Sequence, residues 1–140
     1  FAEVSFTGAL APYSAWQAAS FPGGASDADA GLLLDPDGDG NNNLVEYATG
    51  GNPLNSSQSG IARDVATVGS ESYLRLTVAK NPAASDVTFE VQATGALNDA
   101  NSWSSDGLVI EENTASTLRV RDVVPLSTSS ARFMRVRISR

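Results

Sequence analysis

At 140 residues the chain is long enough to bury a core of its own and short enough to form one domain, or one domain with a small appendage. It contains neither cysteine nor histidine. That excludes disulfides, thiolate zinc sites, Cys nucleophiles, imidazole metal ligands and Ser–His–Asp triads together. The formal net charge of −7 argues against a nucleic-acid binder, whose domain is normally net basic.

The acid excess lies in the first half. Residues 1–60 carry Glu3, Asp27, Asp29, Asp35, Asp37, Asp39 and Glu46 and no Lys or Arg, whereas in residues 61–140 nine acids balance nine bases. No apolar run is long enough to span a membrane, Gly31–Leu34 being the nearest. The chain begins at Phe1, which reads as an excised piece of a larger or processed protein whose targeting segment cannot be judged.

The first predicted element is a short helix over Ser14–Phe21, with Ser14 as N-cap and Pro22-Gly23-Gly24 as its stop. Tyr13, Trp16 and Phe21 form its apolar face, expected to glue it to the sheet. A loop with Asp27 and Asp29 leads into Asp35-Pro36-Asp37-Gly38-Asp39-Gly40-Asn41-Asn42-Asn43-Leu44-Val45-Glu46, which reads as a complete twelve-residue calcium loop. Asp35, Asp37 and Asp39 stand at positions 1, 3 and 5, Glu46 at position 12, and the turn glycine at position 6 is Gly40. Position 7 supplies a backbone carbonyl (Asn41), and position 9 often acts through water (Asn43). The spacing has a cause: a hard divalent ion takes about six to eight oxygens at about 2.3–2.6 Å, and a tightly wound loop turns alternate residues towards one centre. Four carboxylates packed together without a cation would repel one another. A second short helix follows over Leu44–Thr49, closed by Gly50 at the left-handed C′ position and barred from continuing by Pro53.

After the linker-like Asn52–Gly60 the hydrophobic period changes to two. Alternation over residues 73–78, 86–93, 117–121 and 134–138 predicts strands, with weaker ones near 64–68 and 108–111. Turn signals separate them at Asn81-Pro82, Asn98-Asp99, Asp106-Gly107 and Ser127–Ser130. The expected fold is mainly β, a compact antiparallel β-sandwich with a small N-terminal helix–calcium loop–helix subdomain packed on it. Residues 1–58 would form the calcium-binding subdomain and 59–140 the sandwich, as one cooperative unit. Leu74, Leu76, Val78, Val87, Phe89, Val91, Leu118, Val120, Met134, Val136 and Ile138 are expected to point inward.

The outward set is then Tyr73, Arg75, Thr77, Glu90, Gln92, Arg119, Arg121, Phe133, Arg135 and Arg137, one face with five arginines and two aromatics. It reads either as a glycan platform, with Tyr73 or Phe133 stacking a sugar and arginine pairing with carboxylate or sulfate, or as a face that is solvated, paired with neighbours such as Glu90, or covered by the acidic first half. Trp103, in a polar loop, either stacks a sugar or tucks its ring over the end of the core. The candidate ligand-binding set is Tyr73, Arg75, Trp103, Arg119, Arg121, Phe133 and Arg135.

Asp35–Glu46 followed by Tyr47-Ala48-Thr49-Gly50-Gly51-Asn52-Pro53 resembles a module at the C-termini of secreted bacterial multidomain proteins, with the pattern DPDGDG-x-NN-L-x-EYA-x-G-x-[ND]P. Tyr13, Trp16, Phe21, Thr88–Ala93, Asn101-Ser102-Trp103 and Arg132-Phe133-Met134-Arg135-Val136 look like the remainder of that pattern. The loop is also similar to those of dockerins and thrombospondin type 3 repeats. Dockerins carry two such loops and this chain one, and Asn42 stands where EF-hands usually place an aliphatic residue. The resemblance implies a secreted or cell-surface accessory module of a larger parent polypeptide, often one that degrades polysaccharide. The expectation is therefore a non-catalytic carbohydrate-binding or substrate-targeting module with one structural Ca2+. The alternative is a structural or anchoring terminal module that binds protein or envelope. Direct bridging of the metal to a sugar is the other reading of the ion.

Overall fold

The computed structural model describes residues 11–56 and 60–140, so Glu3 and the expected boundary at 58/59 lie outside the described residues. Two short helices, α1 (Pro12–Ser20) and α2 (Asn43–Thr49), precede six strands: β1 (Ile61–Val68), β2 (Glu71–Ala79), β3 (Thr88–Thr94), β4 (Val109–Asn113), β5 (Thr117–Arg121) and β6 (Phe133–Ser139). The strands form two antiparallel sheets, one in the order β1-β2-β5-β4 and one of β3 with β6. The fold is thus β-rich, and the period-two segments are its strands. No helix among the described residues is long and apolar enough to cross a membrane.

Alternation sets which side chains meet. Leu76 and Val78 of β2, Leu118 and Val120 of β5 and Val91 of β3 form one buried cluster, with Ile61, Phe89, Leu108, Met134 and Val136 packed against it. Both sheets thus contribute to one core, as alternating apolar residues on paired strands require. Leu74 and Ile138 are only half-buried. Val87 departs from the expected inward set: it lies before β3 and packs with Tyr13, Tyr47, Ala84, Trp16 and Leu32 in a second cluster.

That second cluster carries the helices. Tyr13 stacks on Trp16 at 5.4 Å between ring centroids and meets Tyr47 edge-on at 5.0 Å, while Trp16 meets Phe21 at 5.7 Å. The aromatic face of α1 therefore packs on α2 and the β2–β3 connection, where glue to the sheet itself was expected. The α1 start also differs from expectation. Its N-cap is Ala11, no side chain caps it, and Pro12 occupies the first turn, where its fixed φ and missing N–H suit a helix start. Ser14 lies inside the helix. By contrast α2 is capped at both ends: the Asn42 side chain accepts from Val45 N at 3.1 Å, and Gly50 takes the left-handed conformation (φ 83°). Asn in place of an aliphatic residue at 42 thus has a local cause.

Tyr47 ties α2 to the strands. Its hydroxyl donates to Asp86 just before β3, and the other Asp86 oxygen accepts from Arg140 Nε just after β6. The Arg140 guanidinium also lies 4.7 Å above the Tyr13 ring. Burial pushes the Tyr47 hydroxyl well above its ordinary range, and donation to Asp86 adds to that shift. Asn81 completes the joint, its side chain donating to Tyr47 O at 2.9 Å and its amide to Ala48 O at 2.8 Å.

Candidate metal centre

Residues 35–46 coil around their own carboxylates. Gly38 N and Gly40 N donate to the two Asp35 oxygens at 2.9 and 3.0 Å, Asp39 N donates to Asp37 Oδ1 at 3.2 Å, and Asn41 N donates to Asp39 Oδ1 at 2.8 Å. Such side-chain-to-backbone turns hold the loop tightly wound. Gly40 has φ +93°, a conformation that costs an L side chain dearly. The ends of the loop are fastened too, with Asn43 N donating to Leu34 O at 2.8 Å and Leu44 N to Leu32 O at 2.9 Å.

The result is convergence. Asp35, Asp37 and Asp39 each place a carboxylate oxygen within 4.8 Å of the others. Two oxygens on one calcium ion lie at most about 4.6–5.2 Å apart, twice the metal–oxygen distance, so the spacing fits a shared centre. Glu46 reaches the same region from the first turn of α2. It is 3 % exposed, and burial pushes its carboxyl above the ordinary range, with Asp39, Asp37 and Asp35 pushing it further the same way.

Among the described residues, three buried side-chain oxygens have no hydrogen-bond partner: Asp37 Oδ2, Asn43 Oδ1 and Glu46 Oε2. All three belong to this segment. Buried polar atoms are nearly always satisfied in folded proteins, and three orphaned oxygens in the segment that carries the converging carboxylates are a donor set that suits a hard cation.

Asn43 has a second task that its position in the loop did not announce. It is fully buried, and its Nδ2 donates to the carbonyls of Asp29 and Gly31, each at 2.7 Å, which pins the upstream segment to the loop. Gly51 was also missed. A Cβ there would overlap the Glu46 carboxylate, lying 2.6 Å from its carboxyl carbon, so glycine leaves the room that the carboxylate occupies. The pair Gly50-Gly51 was the available signal, and only the first glycine is explained by the helix end.

The candidate ligand-binding residues do not form one face. Tyr73, Arg75, Arg119 and Arg121 belong to the four-stranded sheet, Phe133, Arg135 and Arg137 to the two-stranded one, and alternation alone cannot say which sheet a strand joins. Among the described residues, the arginines that form ion pairs do so with acids of the second half. Arg75 pairs with Asp64 on the neighbouring strand and with Glu111 one strand beyond the neighbouring β5, while Arg121 pairs with Glu111, Arg119 with Glu112 and Arg137 with Glu90 on neighbouring strands. The Arg121 guanidinium lies 4.6 Å over Tyr73, and that of Arg135 lies 4.2 Å over Trp103, which is half-buried. Gln92, expected outward, is 7 % exposed because Arg135 closes over it, donating from Nε and Nη2 to its Oε1 at 3.0 and 2.8 Å.

One further polar pair was not foreseen. Asp122 is fully buried at the end of β5 and takes two hydrogen bonds from Arg132 at 2.7 and 2.8 Å, with Val123 N and Val124 N donating to the same carboxylate. Burial alone would raise its pKa, but these donors and the arginine charge outweigh it and hold the carboxyl below its ordinary range. No family model, no curated protein and no solved structure matches the chain.

Proposed function

We propose that this chain is a non-catalytic, calcium-stapled accessory module of a larger secreted or cell-surface protein, in which a helix–loop–helix unit packs on a β-sandwich. The observation that carries the calcium reading is the convergence of the three aspartate carboxylates, together with the buried, unpartnered oxygens of Asp37 and Glu46 in the same segment. Asp35, Asp37, Asp39 and Glu46 would hold the ion, joined by the Asn41 carbonyl and, directly or through water, by Asn43. The ion supplies charge neutralisation and fixes the start of α2 against the loop. The sensing alternative, a helix pair opening onto an apolar groove, finds no support in a seven-residue α2 clamped through Tyr47 to Asp86.

The non-catalytic reading is supported by the state of the carboxylates beyond the loop. Asp64, Asp86, Glu90, Glu111, Glu112 and Asp122 are each paired with an arginine, so these carboxylates are engaged in ion pairs between elements of the fold. Substrate targeting to polysaccharide is the second reading, and an apolar cleft walled by Trp103 and Phe133 favours it. Anchoring to protein or envelope is the competitor.

Calorimetric titration of the chelator-stripped chain tests the first reading. One calcium per chain is expected, with a rise in melting temperature on binding. Magnesium should substitute poorly, because it demands near-octahedral geometry at about 2.0–2.1 Å. Absence of both a binding signal and a thermal shift would overturn it.

A further inference from the structure

The two sheets differ in width, four strands against two, and β1 is an edge strand of the wider one. Ile61, Arg63 and Val65 pair across from Val78, Leu76 and Leu74, so they share the side of the sheet that carries the core residues of β2. Two adjoining hollows lie there. One, of about 310 Å3, is walled by Leu74, Leu76, Leu97, Trp103 and Phe133, and the ion-paired Asp64, Arg75 and Arg132 also line it. The other, of about 530 Å3, runs between β1 and β6 to Gly40 and Asn41 of the acidic loop. Arg63, Leu76 and Met134 line both, so the two make one groove. Each hollow has the volume of an ordinary small-ligand site.

Charge singles this groove out. Six of the arginines sit within ion-pair distance of a carboxylate: Arg75, Arg119, Arg121, Arg132, Arg137 and Arg140. Among the described residues, Arg63 and Arg135 are the arginines without a carboxylate partner, and both border the groove. Both are exposed. Arg135 is held in place by Gln92 and by the Trp103 ring, which sets its guanidinium ready for a planar anion without the cost of ordering a free side chain. An inward-pointing charge on an edge strand also deters sheet-to-sheet pairing, which accounts for Arg63 alone. It does not account for a second unneutralised guanidinium across the same groove, beside an aromatic wall.

We infer that this groove binds an anionic glycan. Arg63 and Arg135 receive the carboxylate or sulfate, Trp103 and Phe133 pack against the apolar face of a sugar ring, and Asn41 offers amide hydrogen bonds to hydroxyls. Aromatic walls together with hydroxyl-matching amides favour a sugar over an acidic peptide, which needs only the cations. The inference rests on the polysaccharide reading above and not on the calcium reading. Because Asn41 belongs to the loop, calcium would shape one end of the groove.

The test is calorimetric titration of the full chain at fixed millimolar calcium with trigalacturonate, a sulfated dextran oligosaccharide, neutral cellotriose and poly-L-glutamate. At least one of the anionic sugars should bind, which of the two identifying the anion, and cellotriose should bind at least about tenfold more weakly, as the loss of one charge-assisted contact implies. Arg63→Gln and Arg135→Gln should each weaken binding about tenfold or more, and Trp103→Leu several-fold. Arg137→Gln, outside the groove, should leave it unchanged. Each variant is first shown to keep the calcium-dependent melting temperature of the parent, and Arg63→Gln, altering an exposed side chain, serves as the test if the Trp103 variant does not fold. Equal binding of cellotriose, or an equal loss with Arg137→Gln, overturns the assignment. Equal binding of poly-L-glutamate with the same arginine dependence replaces the sugar by an acidic peptide. No binding of any probe by a chain that retains its calcium-induced thermal shift overturns the groove and leaves the calcium reading standing.

Discussion

Gly51→Ala separates the metal site from the fold. The added Cβ would overlap Glu46 Oε2 outright and lie 2.6 Å from the carboxyl carbon, so the carboxylate must recede by about 1.6 Å to reach ordinary van der Waals separation. The window for calcium–oxygen contact, about 2.3–2.6 Å, is narrower than that displacement. Gly51 is not among the glycines with positive φ, so the backbone itself accepts alanine. Without metal the substitution should cost little, because what must move is the flexible end of the Glu46 side chain and the unfolded chain is restricted in compensation. With metal the cost is larger. At calcium a hundredfold above Kd the parent gains about 2.7 kcal/mol, and a variant weakened a hundredfold gains only about 0.4 kcal/mol. For a chain of this size that is a calcium-induced rise of roughly 8 °C in the parent and about 1 °C in the variant. Circular-dichroism melts in chelator and in calcium measure both numbers. A variant that loses as much stability in chelator as in calcium would show that Gly51 serves packing alone, and the link from Gly51 through Glu46 to the metal would be wrong.

Three more substitutions follow from the same geometry. Asp37→Asn should raise stability in chelator, by relieving repulsion among the converging carboxylates, while cutting the calcium-induced rise, both read from paired thermal melts. Asp122→Ala should cost about 3–5 kcal/mol in urea unfolding, because it strands the mostly buried Arg132 guanidinium. The Asp122 carboxyl titrates below its ordinary 3.8, so its contribution is whole above that value and is lost as pH falls through the lower folded pKa; acid unfolding of Asp122→Asn should lack this step. Tyr47→Phe should cost about 1.5–3 kcal/mol near neutral pH, the worth of a buried hydrogen bond to a charged group. The Tyr47 hydroxyl is raised above its ordinary 10, so its contribution is whole below pH 10 and is lost as pH rises towards the folded pKa, and the gap between parent and variant should close in alkali.

What could be read in the sequence was whatever is local. The strands of residues 73–78, 117–121 and 134–138 lie within β2, β5 and β6, because alternation records burial residue by residue. The acid loop likewise winds on its own spacing and its own amides. Long-range partners were not legible. Nothing near Asp122 names Arg132, and nothing near Tyr47 names Asp86 or Arg140. Sheet membership was also hidden, since a strand alternates in the same way whichever sheet it joins, and so five arginines expected on one face divide between two. The Ser14 cap failed through competition, because Pro12 offered an earlier start to the same helix.

The acidic loop and the β-sheets are tied together more closely than a surface loop requires. A helix of seven residues is not stable alone, so α2 holds its shape through its caps, its packing and, on the reading proposed here, an ion at Glu46. The next residue, Tyr47, is almost completely buried and donates to Asp86, while the other Asp86 oxygen takes Arg140 beyond β6. Adjacent positions on one short helix therefore face the acid cluster and the junction of β3 with β6. The two-stranded sheet has few hydrogen-bonded neighbours of its own, and such a pair is marginal without a partner to pack on. Calcium that fixes α2 would lend order to that sheet, and the effect should be visible as hydrogen-exchange protection of β3 and β6 amides that rises on calcium addition. Protection confined to residues 35–49 would instead confine the ion's influence to its own loop and helix.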